Sequence, residues 1–217
     1  MDWQRKNCSW ILASVFKWRD KIKGINAWAT VLKNGKYRTA DVYKELRRNK
    51  GQVPWKHLMY QNYAKPRARF ILWLSLLDRL NTKDMLLKRG SIIDVGCIFC
   101  KEMETVHHLF FECQVTNQIW RIVLQHIRYD KSPMGWTQER AWLNIKTKRK
   151  GWHGDLLKIA IAESVYGIWR HRNDVIFNQS QVDPHIWKTI VHDVLIRDSF
   201  HKSIRNHVNV ETMSISL

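Results

Sequence analysis

The chain has 217 residues, with 37 Lys and Arg against 19 Asp and Glu, for a formal charge of +18 and a pI near 10.0. Hydrophobic residues make up 45% of it and it carries 12 Trp, so it has enough apolar surface to offset the entropy of folding, which excludes disorder throughout. No run approaches the roughly 18 consecutive apolar residues of a membrane span, and Met1-Asp2-Trp3-Gln4 does not open a signal peptide, so a soluble, intracellular protein is expected, with no membrane partner.

The charge excess exceeds what solubility requires, and polyanions are the partners it favours. Only 9 Gly and 4 Pro punctuate the chain, which points to helices and not to a turn-rich β architecture. Ser9 caps a predicted helix with Ile11, Val15, Trp18 and Ile22 on one face. Asn34-Gly35 suits a turn or short hairpin around Lys36-Tyr37, and Thr39 can cap a helix carrying Val42, Tyr43 and Leu46. From Pro66 a helix is expected to bury Phe70, Trp73, Leu74, Leu77 and Leu80. Thr82 can cap a short helix with Met85, Leu86 and Leu87, with Gly90 in the left-handed position at its end.

Three of the four cysteines fall within 17 residues, which suits metal ligation better than two disulfides. Cys97-Ile-Phe-Cys100 places two thiolates across a tight turn, and His108 and Cys113 complete a C-x2-C-x7-H-x4-C pattern. Three thiolates and one imidazole suit Zn²⁺ and leave no open coordination position, so the site is structural. His107 is the rival ligand to its neighbour His108. On an unbroken α-helix, residues five apart are rotated by about 140°, so the helix must stop or distort between His108 and Cys113. Cys8 stands apart as a plain reduced thiol.

Beyond the metal segment, Ile119, Trp120, Val123, Leu124 and Ile127 define a helix, and Pro133 and Gly135 mark a break. Leu157, Ala160, Ile161, Val165, Ile168 and Trp169 form a stripe ending near His171-Arg172-Asn173. Asp183 and Pro184 open a last helix that buries Trp187, Ile190, Val191, Val194 and Leu195. The expected organisation is an N-terminal helical extension over 1–34, a zinc-binding helical domain over 35–130, a C-terminal helical region over 131–205 and a flexible tail over 206–217. The fold class is mostly α, a small helical bundle stapled by one CCHC zinc site, with a second helical segment at the C-terminal end.

Gly35-Lys36-Tyr37, Ala40, Tyr43, Pro54-Trp55, Pro66, Phe70-Ile71-Leu72-Trp73-Leu74 and Arg79-Leu80-Asn81-Thr82 occur in a recognisable order. With Leu86, Arg89-Gly90, the Cys97–Cys113 ligands, Glu104-Thr105 and Trp120, residues 35–125 resemble the zinc-binding domain that follows the reverse transcriptase of plant LINE-type retrotransposons. Cys8-Ser9-Trp10-Ile11-Leu12 and Tyr166-Gly167-Ile168-Trp169-Arg170-His171-Arg172-Asn173 are similar to the segments flanking that domain. The resemblance implies a C-terminal part of a retroelement protein, detached from its polymerase, that helps hold template RNA or target DNA.

Basic clusters at Arg47, Arg48 and Lys50, at Lys65, Arg67 and Arg69, and at Lys146, Lys148, Arg149 and Lys150 are candidates for neutralising the phosphates of RNA or single-stranded DNA. Trp55, Tyr60, Tyr63 and Trp152 are candidates for stacking on unpaired bases. The alternative is a host-adopted adaptor that docks a protein partner on the zinc-stapled scaffold. No carboxylate set spaced to hold catalytic Mg²⁺ and no paired nucleophile occur in the sequence, so neither an enzyme nor a small-molecule substrate is expected.

Overall fold

The computed structural model describes residues 32–33, 36–37, 53–91, 94–149 and 151–199. The contacts divide the chain into two units, 1–52 and 53–217. In the first, strands β1 (Leu32–Lys33) and β2 (Lys36–Tyr37) pair antiparallel, Leu32 against Tyr37 and Lys33 against Lys36, as the Asn34-Gly35 dipeptide leads one to expect. The helices expected from Ser9 and from Thr39, together with Cys8, Arg47, Arg48, Lys50, Lys150 and the tail, lie outside the described residues.

The second unit is helical: α1 (Lys56–Met59), α2 (Pro66–Leu76), α3 (Lys83–Lys88), a π-helical turn (His108–Glu112), α4 (Gln114–His126), α5 (Trp136–Lys146), α6 (Trp152–Phe177) and α7 (Ile186–Ser199). Its centre is α6, whose residues 156–165 are buried on every side, the pattern of a helix surrounded by others. Around it pack α2, α7 and α4. Gly167 lets α7 come close, since a Cβ there would lie 2.6 Å from Ile190 Cγ1. Among the described residues, no helix is long and apolar enough to cross a membrane.

The buried face of α2 is not the expected one. Ala68, Leu72, Ser75 and Leu76 face inward, whereas Phe70 is 55% and Trp73 37% exposed. Small side chains at Ala68 and Ser75 allow α2 to approach α6, which bulky aromatics would prevent. Leu80, beyond the helix, is buried as expected. The α2 N-terminus is tied to α6 by Glu163, whose Oε1 accepts the Lys65 N–H at 2.8 Å.

In α3 the buried residue is Asp84, and Leu87 faces solvent. The Thr82 hydroxyl bonds to the Asp84 side chain, so it does not cap the helix as expected. Glu104 takes over that role: its Oε1 accepts the Lys83 N–H at 2.9 Å and its carbonyl accepts the Asp84 N–H at 3.2 Å. Gly90 does adopt the left-handed conformation, φ +68°, and the Ser91 N–H closes back on the Leu86 carbonyl.

All five expected core residues of α4 are buried. Helix α5 joins the same core, because Trp136 is buried against Phe110 and Phe111, and Glu139 accepts the Trp120 indole N–H at 2.9 Å. Helix α6 runs past the expected end to Phe177, with Arg172 buried inside it. Helix α7 begins at Ile186 and buries Ile190, Val191 and Val194, with Trp187 and Leu195 only half-buried at its edges.

Candidate metal centre

The Cys97–Cys100 segment is a tight turn held by its own backbone. The Cys97 N–H donates to the Glu102 carbonyl at 2.6 Å, the Lys101 N–H to the Cys97 carbonyl at 2.9 Å, and Gly96 bridges to Met103. A Cβ at Gly96 would lie 3.3 Å from both the Lys101 carbonyl oxygen and Asp94 Oδ1, so the turn leaves little room there. The other two candidate ligands come from the segment that enters α4. Thr105 Oγ1 accepts the His108 N–H at 3.0 Å and starts the turn, in the manner of an N-cap.

Between His108 and Cys113 the chain forms a π-turn, with the Cys113 N–H donating to the His108 carbonyl at 2.7 Å. An i→i+5 bond brings the fifth residue back over the first, which a regular α-turn does not. This is the distortion that the five-residue spacing demands. The Asn117 amide donates to the Phe111 carbonyl at 2.8 Å, satisfying a group in the irregular turn. Leu109, Phe110 and Phe111 are all buried, so the turn is anchored in the core.

The outcome is a cluster of Cys97, Cys100, His108 and Cys113 whose ligand atoms lie within 4.8 Å of one another. His108 Nε2 is 3.0 Å from Cys100 Sγ, and its Nδ1 faces the exposed Glu102 carboxylate at 3.6 Å, beyond hydrogen-bond length. His107 points elsewhere, 3.5 Å from Asp78 and stacked on Trp136. The structure therefore brings His108, not His107, to the sulfurs.

Backbone N–H groups also face the sulfurs: those of Phe99 and Cys100 at Cys97, of Glu102 at Cys100, and of Thr116 and Val115 at Cys113. Such donors favour the thiolate. Donation from the Cys97 thiol, aided by the two N–H groups at the start of α4, lowers Cys113 to about 5, against the opposing effect of burial. Proton sharing with Cys113, and then burial, pushes the Cys97 thiol far upward, and burial raises Cys100. Three crowded thiols with one easily lost proton form a donor set suited to a cation. In a tetrahedral zinc site, bonds of about 2.3 Å to sulfur and 2.0 Å to nitrogen put ligand atoms roughly 3.5–3.8 Å apart, and the cluster fits that size.

Two residues absent from the spacing argument hold this cluster to the rest of the fold. Glu104, fully buried, receives Arg172 of α6 through Nη2 at 2.6 Å and Nε at 3.2 Å. Phe99 packs near His171, with ring centroids 6.0 Å apart. The only sequence signal for either contact is that Glu104 and Arg172 fall within the segments carrying the family resemblance.

The basic clusters are differently placed. Lys65 is engaged with Asp193 at 2.5 Å, whereas Arg67 and Arg69 are exposed on α2. Lys146, Lys148 and Arg149 are exposed at the end of α5. His57 of α1 is held below its ordinary range by slight desolvation and then by the charges of Lys56, Lys148 and Lys158, the last of which is buried in α6 and paired with Asp155 at 2.9 Å. Of the candidate stacking residues, Trp55 and Trp152 pack partly into the core, while Tyr60 and Tyr63 are exposed.

No curated protein and no solved structure matches the chain. Residues 37–120, which span all four clustered side chains, match a family model described as zinc-binding in reverse transcriptase. The similarity covers those residues alone, and the family it points to is a zinc-binding one associated with reverse transcriptase.

Proposed function

We propose that Cys97, Cys100, His108 and Cys113 hold Zn²⁺ in a closed structural site, and that the domain so stabilised binds RNA or single-stranded DNA as part of a plant LINE-type retroelement protein, without catalysis of its own. The observation that carries the metal assignment is the convergence of three sulfurs and one imidazole nitrogen within 4.8 Å. When bound, the ion supplies folding energy, because such a site does not exist in the unfolded chain. Backbone N–H groups stabilise the sulfurs as thiolates, and Glu104 ties the turn to α3 and α6.

The nucleic-acid reading is supported by the formal +18 charge and by the exposed Lys148 near the end of α5. Lys146 and Arg149 extend that surface, with Arg67 and Arg69 as a further basic site. A protein that neutralises phosphates releases counterions, so its affinity falls steeply as salt rises. Titration of labelled oligouridylate with the full chain at several salt concentrations tests this. A steep salt slope, flattened by Lys148→Ala with Arg149→Ala, is expected. Salt-insensitive binding, together with protein partners that survive nuclease treatment in a pull-down from the native cell, would instead support the adaptor reading.

A further inference from the structure

Helix α2 carries two exposed aromatic rings on the side opposite its buried stripe. Phe70 and Trp73 are one turn apart, with centroids 5.9 Å apart and planes tilted by 38°. Phe70 is 55% exposed and Trp73 37%, although the core of this unit has taken in Trp120 and Trp136 almost completely. The rings lie along a ridge with Arg67 on one flank and Arg69 on the other, since residues three and four apart share a helix face. Both arginines are exposed, and neither pairs with a carboxylate among the described residues.

We propose that Phe70 and Trp73, flanked by Arg67 and Arg69, form a stacking platform for unpaired bases. The proposal rests on the nucleic-acid reading above and narrows it to single-stranded segments. Aromatic faces accept any base by stacking, and flanking guanidinium groups hold the phosphates on either side. A duplex keeps its bases stacked on each other and offers such a platform nothing. Charge argues against a second copy of this chain as the occupant: two Arg-flanked faces, each on a chain of formal charge +18, repel.

The test uses the full chain, a labelled oligouridylate of about ten nucleotides and a blunt RNA duplex of the same length, a size within the usual range of single-strand sites. Phe70→Ala with Trp73→Ala is expected to weaken oligouridylate binding by about tenfold or more, leaving duplex affinity and the slope against salt unchanged. Trp73→Phe retains most of the binding. Arg67→Ala with Arg69→Ala flattens the salt slope by roughly 0.7 for each phosphate that is no longer neutralised. Metal content and circular dichroism identify any variant that has failed to fold.

Oligouridylate affinity unchanged in a folded double-alanine variant, with steep salt dependence retained, would overturn the platform and leave the broader reading standing. A wild-type chain that binds no oligonucleotide removes both. A fall in sedimenting mass on substitution would assign the ridge to self-association and overturn the platform equally.

Discussion

Arg172 and Glu104, 68 residues apart, meet as a buried two-point ion pair, Nη2 to Oε1 at 2.6 Å and Nε to Oε2 at 3.2 Å. The carboxylate also receives the first N–H of α3, so one side chain joins the cysteine turn, α3 and α6. Removing one member of such a pair leaves a buried charge without its partner. Arg172→Met or Glu104→Gln is therefore expected to cost about 3–5 kcal/mol in urea unfolding at fixed free zinc. The double variant Glu104→Gln, Arg172→Met should recover part of that loss, since no uncompensated charge then remains.

Removal of the metal should loosen the domain at its centre. Cys100→Ser and Cys113→Ser are each expected to lower bound zinc and the thermal midpoint together, read by native mass spectrometry and by melting. Cys8→Ser should change neither. The same response from all three variants would show that the clustered sulfurs have no special standing.

Glu163 supplies a pH signature. Burial raises its carboxyl above the usual range, with the Asp193 charge adding to the effect and Lys65 and Arg197 opposing it. One of its oxygens has no hydrogen-bond partner. Because the folded state holds the proton more tightly than the unfolded one, this group favours folding below its unfolded value. That contribution is lost as pH rises through the folded value. Glu163→Gln keeps the acceptor for the Lys65 N–H and removes the titration. Its urea midpoint, measured relative to wild type, should rise between about pH 4.5 and neutrality, whereas a constant difference would contradict the assignment.

The close passage of α6 and α7 at Gly167 is testable by overpacking. Gly167→Ala forces a methyl group against Ile190 and is expected to cost about 1–3 kcal/mol. In an Ile190→Ala background the same substitution should cost much less, so a double-mutant cycle on urea midpoints isolates the contact. Equal costs in both backgrounds would mean that the helices separate to make room.

The parts of this fold that could be read from the sequence are those specified locally. The metal ligands share one short segment, their spacing fixes the turn at Cys97–Cys100, and the five-residue step from His108 to Cys113 demands the distortion that the π-turn supplies. Helix α4 has one apolar face, which periodicity identifies. Helix α2 has two, and nothing in its spacing shows that Ala68 and Ser75 go inward while Phe70 and Trp73 stay outside. That choice depends on how closely α6 approaches, a tertiary property. His107 and His108 are separated by what surrounds them, Trp136 and Asp78 for one and the sulfurs for the other. The Glu104 and Arg172 pair, formed across a long separation, leaves no mark in any periodic pattern.

The recognised segment stops at residue 120, but two of its buried polar groups are completed further along. The Trp120 indole hydrogen bonds to Glu139, and the Glu104 carboxylate binds Arg172. A piece excised at that boundary would keep the three clustered sulfurs and lose both partners, leaving a buried carboxylate and an indole to find water. The smallest autonomous fragment must therefore reach through the greater part of α6, and a shorter one would misjudge the metal affinity of the intact chain.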